Sequence, residues 1–443
     1  MPTRRSRRGR CQHWRTRRWL VGRVSVSGEC GESYQRFLLR GTGVQRSRWQ
    51  PGSWRGLTVD QRPPWPDQDE LAEASLRLRG LPGLTAAGEA AALRARLAEV
   101  AAGREFILQG GDCAEPLGVE GVIAARARHG ALHELADRLR TWLGVPVVRI
   151  GRLAGQYGKP RSAPTEVVDG RELPSYRGDI VNGAEPTEAA RRPDPQRLLR
   201  AYDSAAAVVA ELRRLPGPDR LWTSHEALVL EYEQALTRRD PETGTWTLRS
   251  THFPWLGERT RRTDGAHVEF LSGLANPIGA KVGPTATPDE LLRLCERLDP
   301  GREPGRLTLI TRMGAGAVAE VLPPLAAAVR AAGHPVVWMC DPMHGNTIRA
   351  SSGVKTRLVG DIVFELARFT EVLLELGEWP GGVHLEIGDH DITECLGAGG
   401  ATEPSQLLKA YRTLCDPRLS VPQAHQVLTE IQQLLAAPAP VTA

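Results

Sequence analysis

No stretch of this 443-residue chain stays apolar for the roughly 20 residues that a bilayer crossing needs, so a membrane enzyme is not expected. Cysteine is scarce and scattered, at positions 11, 30, 113, 295, 340, 395 and 415. An odd number at irregular spacing is no disulfide framework, so a cytoplasmic setting is expected, with single thiols free to bind metal. There is no Gly-x4-Gly-Lys-Ser/Thr loop for a nucleotide, and Gly314-x-Gly316 is too little for a dinucleotide fingerprint. There is no Gly-x-Ser-x-Gly elbow for an esterase-type serine. Acidic residues are almost missing from positions 1–55, where 14 arginines face only Glu29 and Glu32. That arm carries about +12, while the whole chain carries +5, so the remainder is mildly acidic. Without a continuous apolar core the arm is not expected to be a secretory signal. Arginine clusters attract phosphate, which would suit nucleic acid. Blocks of like charge are more commonly disordered extensions, and that is the expectation here, with nucleic acid not expected as a partner.

What the chain does have is eight short apolar runs, each ending in polar residues. Phe106–Gln109 leads to Cys113 and Glu115, Val147–Ile150 to Arg152, and Leu221–Thr223 to His225 and Glu226. The stretch Trp246–Phe253 leads to Trp255, Glu258 and Arg259, Ile278–Ala280 to Lys281, and Leu307–Ile310 to Arg312. Val336–Met339 leads to Asp341 and His344, and Val383–Leu385 to Glu386. Helix-like stretches separate most of them. Eight strand–helix units predict an α/β protein, a (β/α)8 TIM barrel with its site at the C-terminal strand ends. The expected organisation is a basic arm over 1–55, an N-terminal helical segment over 56–103, the barrel over 104–436, and a tail over 437–443. Helices are expected at Gln68–Leu78 and Thr85–Ala102, covering the N-terminal end of the barrel. Thr287-Pro288-Asp289-Glu290 predicts a helix start, with Thr287 as the cap and the acids in the first turn. Leu153 to Pro193 shows little regular pattern and predicts an active-site loop.

Two sets of residues carry the chemistry. Cys113, His344, Glu386 and Asp416 combine a thiol, an imidazole and two carboxylates, a mixture that suits a divalent transition metal. Each alone also reads as a packed or surface residue, and Cys113 with His344 as base reads as a nucleophile pair. Arg152, Arg259, Lys281 and Arg312 lie at strand ends, where like charges repel unless an anion joins them. Arginine forks match phosphate and carboxylate, so a substrate with two anionic groups is expected. Lys159, Arg161 and Ser162 offer a second phosphate contact, while Trp255 and Glu258 would wall the pocket and order a water.

At these residues the chain resembles the class II 3-deoxy-D-arabino-heptulosonate 7-phosphate (DAHP) synthases, over roughly Arg104 to Gln423. The shared motifs include LQGGDCAE (108–115), GRLAGQYGKPRS (151–162), HFPWLGERTR (252–261) and NPIGAKVGP (276–284). They continue through LITRMG (309–314), CDPMHGNT (340–347), GGVHLE (381–386) and CDPRLS (415–420). The resemblance implies a metal-dependent condensation of phosphoenolpyruvate with erythrose 4-phosphate, the first step of the shikimate pathway, in a homo-oligomer (dimer or tetramer). It implies Cys113, His344, Glu386 and Asp416 as metal ligands, for Mn²⁺ or Co²⁺, with Cd²⁺ or Zn²⁺ as further options. Arg152, Glu258, Arg259, Lys281 and Arg312 would hold phosphoenolpyruvate, and Lys159, Arg161 and Ser162 the sugar phosphate. Lys281, Glu258 and His344 would be the catalytic set. The stretch between Asn182 and His225 is short, which resembles the branch of the family used in secondary metabolism such as antibiotic precursors. A related enzyme there uses an imine of the sugar phosphate and makes the amino analogue. Departures are Gly158, where relatives carry Ala, and Ala315-Gly316-Ala317-Val318, which lacks a basic residue.

Overall fold

Eight apolar strands lie side by side, all parallel, and close on themselves. In this computed structural model, which describes residues 49–168, 170–216 and 220–436, the barrel strands are β1 (Phe106–Gly111), β2 (Val147–Arg152), β3 (Trp222–Glu226) and β4 (Phe253–Leu256). They continue with β5 (Ile278–Val282), β6 (Leu307–Thr311), β7 (Val337–Cys340) and β8 (Gly382–Glu386), and β8 returns to pair with β1. Every barrel strand is buried along nearly its whole length, because helices cover the outside and side chains fill the inside. The arm through Arg48 and the tail from residue 437 lie outside the described residues.

Helices α1 (Gln68–Gly80), α2 (Glu89–Ala101), α3 (Gly118–Leu143), α4 (Arg197–Leu212) and α5 (Leu230–Ala235) come first along the chain. Helices α6 (Ala266–Ser272), α7 (Pro288–Leu298), α8 (Val318–Ala331), α9 (Val359–Glu375) and α10 (Val421–Ala436) follow. The start of α7 is as expected: the Thr287 side chain accepts from the Glu290 backbone, and Glu290 reaches back to the cap. Leu93, Leu97 and Val100 of α2 pack with Ile107, Val148, Phe253 and Val337, plugging the N-terminal mouth of the barrel. Each such side chain contributes about 1.5–3 kcal/mol by leaving water. Among the described residues no helix is long and apolar enough to cross a membrane.

Four expectations need correction. The fourth strand is not the run beginning at Trp246. Trp246–Leu248 pairs antiparallel with Thr237–Arg239 in a side hairpin, and the barrel strand is Phe253–Leu256, with Trp255 inside it. Asn276 enforces the bend, because its amide bonds both the N–H and the C=O of Leu248. Helix α1 packs on the flank against α4 and α5, so only α2 covers the N-terminal mouth. The long connection is not patternless: Thr165–Val168 and Arg171–Pro174 form a hairpin within it, and Glu188–Arg191 a short helix turn. Finally, the last residues assigned to the arm are packed. Trp54 is buried and donates from Nε1 to Gln234 Oε1 at 3.1 Å, and Trp49 Nε1 donates to Glu269 O at 2.9 Å. Two indoles bury enough apolar surface to offset the cost of ordering this segment.

Trp54→Ala is expected to lower stability by about 3–5 kcal/mol, read from urea unfolding. Deleting Met1–Arg48 is expected to leave the unfolding midpoint unchanged, and deleting through Gly56 to lower it. Equal midpoints for the two deletions would contradict the packing role of the indoles.

Candidate active site

The C-terminal strand ends surround a cavity of about 320 Å³. Of the residues singled out from the sequence, Arg152, Lys159, Arg161, Ser162, Trp255, Glu258, Arg259, Lys281, Arg312, His344 and Asp416 line it. Cys113 and Glu386 are buried and are joined to it through Lys159 and His344. Strand register does the gathering. Gly111 pairs with Arg152 on one side and with Glu386 on the other, so β1, β2 and β8 deliver Cys113, Arg152 and Glu386 to one level. Position 111 must be glycine, because a Cβ there would stand 2.5 Å from the Arg152 carbonyl oxygen.

Trp255 forms the floor. The Arg152 guanidinium carbon lies 5.5 Å from its ring centroid and Lys281 Nζ lies 5.9 Å away, so its face carries two cations. Arg152 is held by the Cys113 carbonyl at 2.8 Å and by His384 Nε2 at 3.1 Å. His384 Nδ1 faces Gln109 Oε1 at 2.8 Å, which makes Nδ1 the donor and leaves Nε2 to accept from Arg152. Burial, with Lys281 beside it, keeps His384 neutral, well below the usual histidine range. Lys281 pairs with Asp341. Burial draws the Lys281 pKa down and Arg152 adds to this, while Asp341 opposes it. Arg312 donates to the His344 carbonyl at 2.9 Å, and Arg259 bridges to Ser162 Oγ at 2.7 Å. Arg349 and Lys355 also line the cavity, so cations outnumber the carboxylates of Glu226, Glu258 and Asp416. A crowd of like charges in one cleft is a site for a multiply charged anion.

The expected metal donors meet in two pairs. His344 Nε2 lies 3.1 Å from Glu386 Oε1, a buried oxygen that Arg152 Nη1 also approaches to 3.1 Å. Cys113 Sγ accepts from the Asp416 backbone N–H at 3.2 Å and from Lys159 Nζ at 3.1 Å. The same Lys159 Nζ lies 2.5 Å from Asp416 Oδ2. Burial works against the Lys159 ammonium, but Asp416 and Cys113 overcome it and hold its pKa well above the usual lysine range. A thiol, an imidazole and two carboxylates are donors that suit a divalent metal, and in this structure Arg152 and Lys159 supply the positive charge beside them. A second grouping, Asp341, His344 and His384, has ligand atoms within 4.8 Å of one another. Two of its members are already engaged. Asp341 Oδ2 takes the His344 Nδ1 proton at 2.7 Å and pairs with Lys281, and His384 serves Gln109 and Arg152. Asp341 is thus the orienting group that leaves His344 Nε2 free to ligate.

Several supports escaped sequence reasoning. Arg357, fully buried, donates to Glu386 Oε2 at 2.7 Å. Glu365 of α9 accepts from the N–H groups of Met313 and Gly314 at 2.7 and 2.9 Å, and from Asn346 Nδ2 at 2.7 Å. It thereby ties the loop after Arg312 to the loop after His344, and burial pushes its carboxyl up to about 7. Glu115 accepts from three successive N–H groups, those of Ala154, Gly155 and Gln156, and so shapes the turn that leads to Lys159. Arg418 spans Glu394 and Asp112, at 2.7 Å to each, locking the residue before Cys113 to the loop that carries Asp416. The one available signal was position: Asp341 stands three residues before His344, and Arg418 two after Asp416. Arg418→Met would leave buried Glu394 without its cation, while Asp112 would keep only Arg128. It is expected to cost about 3–5 kcal/mol, measured by urea unfolding, with Arg418→Lys falling between it and the wild type. A wild-type midpoint for Arg418→Met would remove the clamp from the account.

Known proteins are similar to this chain along most of its length. The model of the class-II DAHP synthetase family matches residues 49–219 and 217–432. A phospho-2-dehydro-3-deoxyheptonate aldolase of Streptomyces coelicolor is 44% identical over 423 residues, covering 84% of this chain and 94% of that protein. A probable phospho-2-dehydro-3-deoxyheptonate aldolase of Pseudomonas fluorescens is 46% identical, covering 86% and 95%. The Mycolicibacterium smegmatis aldolase of the same name is 41% identical, covering 85% and 92%. Identity at this level over a barrel whose strand ends carry these cations and donors leaves one conclusion: the chain is an enzyme that belongs to the class-II DAHP synthetase family.

Proposed function

We propose that this cavity condenses phosphoenolpyruvate with erythrose 4-phosphate, giving DAHP and inorganic phosphate at the entry to the shikimate pathway. The observation that carries the reading is one cavity with two cationic regions. Arg152 and Lys281 lie over the Trp255 ring with Arg312 lining the same cavity, and Lys159, Arg161 and Ser162, on the loop after β2, line it as well. Two anionic substrates repel each other in water, and cations fixed by the fold remove that cost before reaction.

Arg152, Lys281, Arg312 and Arg259 hold the carboxylate and phosphate of phosphoenolpyruvate over Trp255. Lys159, Arg161 and Ser162 hold the sugar phosphate, so the aldehyde carbon faces the enol carbon. The enol carbon bonds to the aldehyde carbon, and the aldehyde oxygen ends as a hydroxyl with a proton balanced by the one that the added water gives up. Water adds at the carbon bearing the phosphate, with Glu258 placed to orient it. Its Oε2 is buried without a hydrogen-bond partner. The resulting hemiketal releases phosphate to give the keto sugar acid. Cys113, His344, Glu386 and Asp416 would hold a divalent metal, Mn²⁺ or Co²⁺, which when bound supplies Lewis-acid polarisation of the sugar carbonyl. Asp341 keeps the His344 ring turned with Nε2 toward Glu386.

The reading is tested by phosphate release when both substrates are supplied, with the aldehyde compared against the imine of the sugar phosphate. Preference for the imine would assign the amino analogue of the product. A chelator is expected to abolish activity and Mn²⁺ or Co²⁺ to restore it. Cys113→Ser and His344→Ala should each lose bound metal, counted by elemental analysis, together with activity. Full activity in metal-free protein would overturn this part.

We also place the chain in the short, secondary-metabolic branch. Between Asn182 and His225 the described residues form one short helix turn and α4, leaving little room for an inhibitor pocket. Phe, Tyr and Trp at millimolar concentration are expected to inhibit little in the phosphate-release assay. Strong inhibition by any one of them would contradict this placement.

A further inference from the structure

The N-terminal segment reaches the wall of the cavity at one residue. Gln61 Oε1 accepts from the Arg161 backbone N–H at 2.8 Å, and the Gln61 carbonyl accepts from Arg177 Nη1 at 3.4 Å. The Arg177 carbonyl in turn accepts from the Lys159 N–H at 2.8 Å. One side-chain amide and one carbonyl therefore brace both ends of the short run Lys159–Arg161. The brace is itself fixed on either side. The Thr58 carbonyl accepts from the Ala266 N–H at 3.0 Å, and Arg62 Nε pairs with Glu231 at 3.0 Å. Gln61 holds a left-handed backbone, φ 61°, which a residue with a Cβ adopts only where its surroundings demand it. Strain of this kind concentrates where a contact matters to function.

We infer that Gln61 is a positioning residue for the phosphate end of the sugar subsite, acting through the Arg161 main chain. The inference rests on the reading of Lys159, Arg161 and Ser162 as the sugar-phosphate contact. Arg161 is restrained from two directions. Its guanidinium is paired with Glu166, and its N–H is held by Gln61. Without the amide of Gln61, the N–H is freed and the loop gains room to move relative to Arg259, which is bonded to Ser162 at the far side of the same loop. A loosened loop binds the sugar phosphate less well, while Arg152, Lys281 and Arg312, at the ends of β2, β5 and β6, stay where their strands put them.

Two variants separate the bond from the backbone strain. Gln61→Ala removes the amide and keeps the left-handed φ cost, whereas Gln61→Gly removes both. Both are expected to raise the KM for erythrose 4-phosphate by about threefold to tenfold, a range equivalent to one lost hydrogen bond of about 0.5–1.5 kcal/mol. The KM for phosphoenolpyruvate and kcat should stay within about twofold, and Gln61→Gly should melt no lower than Gln61→Ala. Affinity for inorganic phosphate, measured by calorimetric titration of the metal-loaded protein already saturated with phosphoenolpyruvate, should weaken in parallel in both variants. An unchanged KM for erythrose 4-phosphate in Gln61→Gly, or an equal rise for both substrates, would overturn the inference. If the wild type releases no phosphate from the two substrates, the proposed reaction fails. The titration then decides on Gln61 alone: weakened phosphate binding in the variants supports the brace, and unchanged binding removes it.

Discussion

Parallel pairing of β1 with both β2 and β8 is the constraint on which the site depends. It sets Gly111 opposite Arg152 and Glu386 at once. Closure brings Cys113 and Arg152 together with Glu386, more than 230 positions further along the chain, and nothing local could do so. The absence of a side chain at Gly111 allows the Arg152 backbone to approach closely, which puts the guanidinium against the Cys113 carbonyl. The expected metal donors and the cations of the cavity are consequently not separate constructions. They share strand ends, and Arg152 touches both, lying 3.1 Å from Glu386 Oε1 and over the ring of Trp255.

Concentrating this much charge in a cleft is costly unless each group has a partner. The structure meets the cost with a buried layer beneath the cavity. Asp341 partners Lys281 and His344, Arg357 partners Glu386, and Arg418 joins Asp112 to Glu394. Beneath them a neutral polar chain runs from His384 through Gln109 and Ser224 to the Gly151 carbonyl, fixing ring orientation without adding charge. Glu226 is left with a buried, unpartnered Oε1 facing the cavity, and Gly257 makes room for it, since a Cβ there would stand 2.0 Å away. Paired charges therefore hold the framework, and among the buried atoms left without a hydrogen bond are Glu226 Oε1 and Glu258 Oε2, on two residues that line the cavity.

Elements with strong local signals were legible in advance. The Thr287 cap, the strand ends at Arg152, Lys281 and Glu386, and the helix plugging the barrel all follow from period and end chemistry within a dozen residues. Trp246–Leu248 was not legible, because an apolar run cannot declare whether it enters the barrel or folds back on a neighbour. The amide of Asn276, 28 positions away from Leu248, decides that. The packing of Trp49 and Trp54 was hidden by the arginines around them, since composition averages over residues that behave differently.

By itself, then, the sequence determined the alternation of strands and helices, the polar residues at strand ends, and the excess of positive charge among them. Each of these depends on short-range backbone preference and side-chain type. Only the tertiary structure decided which of those residues meet. Lys159 stands against Asp416 across 257 positions of chain, and the Gln61 amide reaches Arg161 across 100. Contacts of that separation depend on barrel closure, strand register and the course of loops, and no local pattern encodes them.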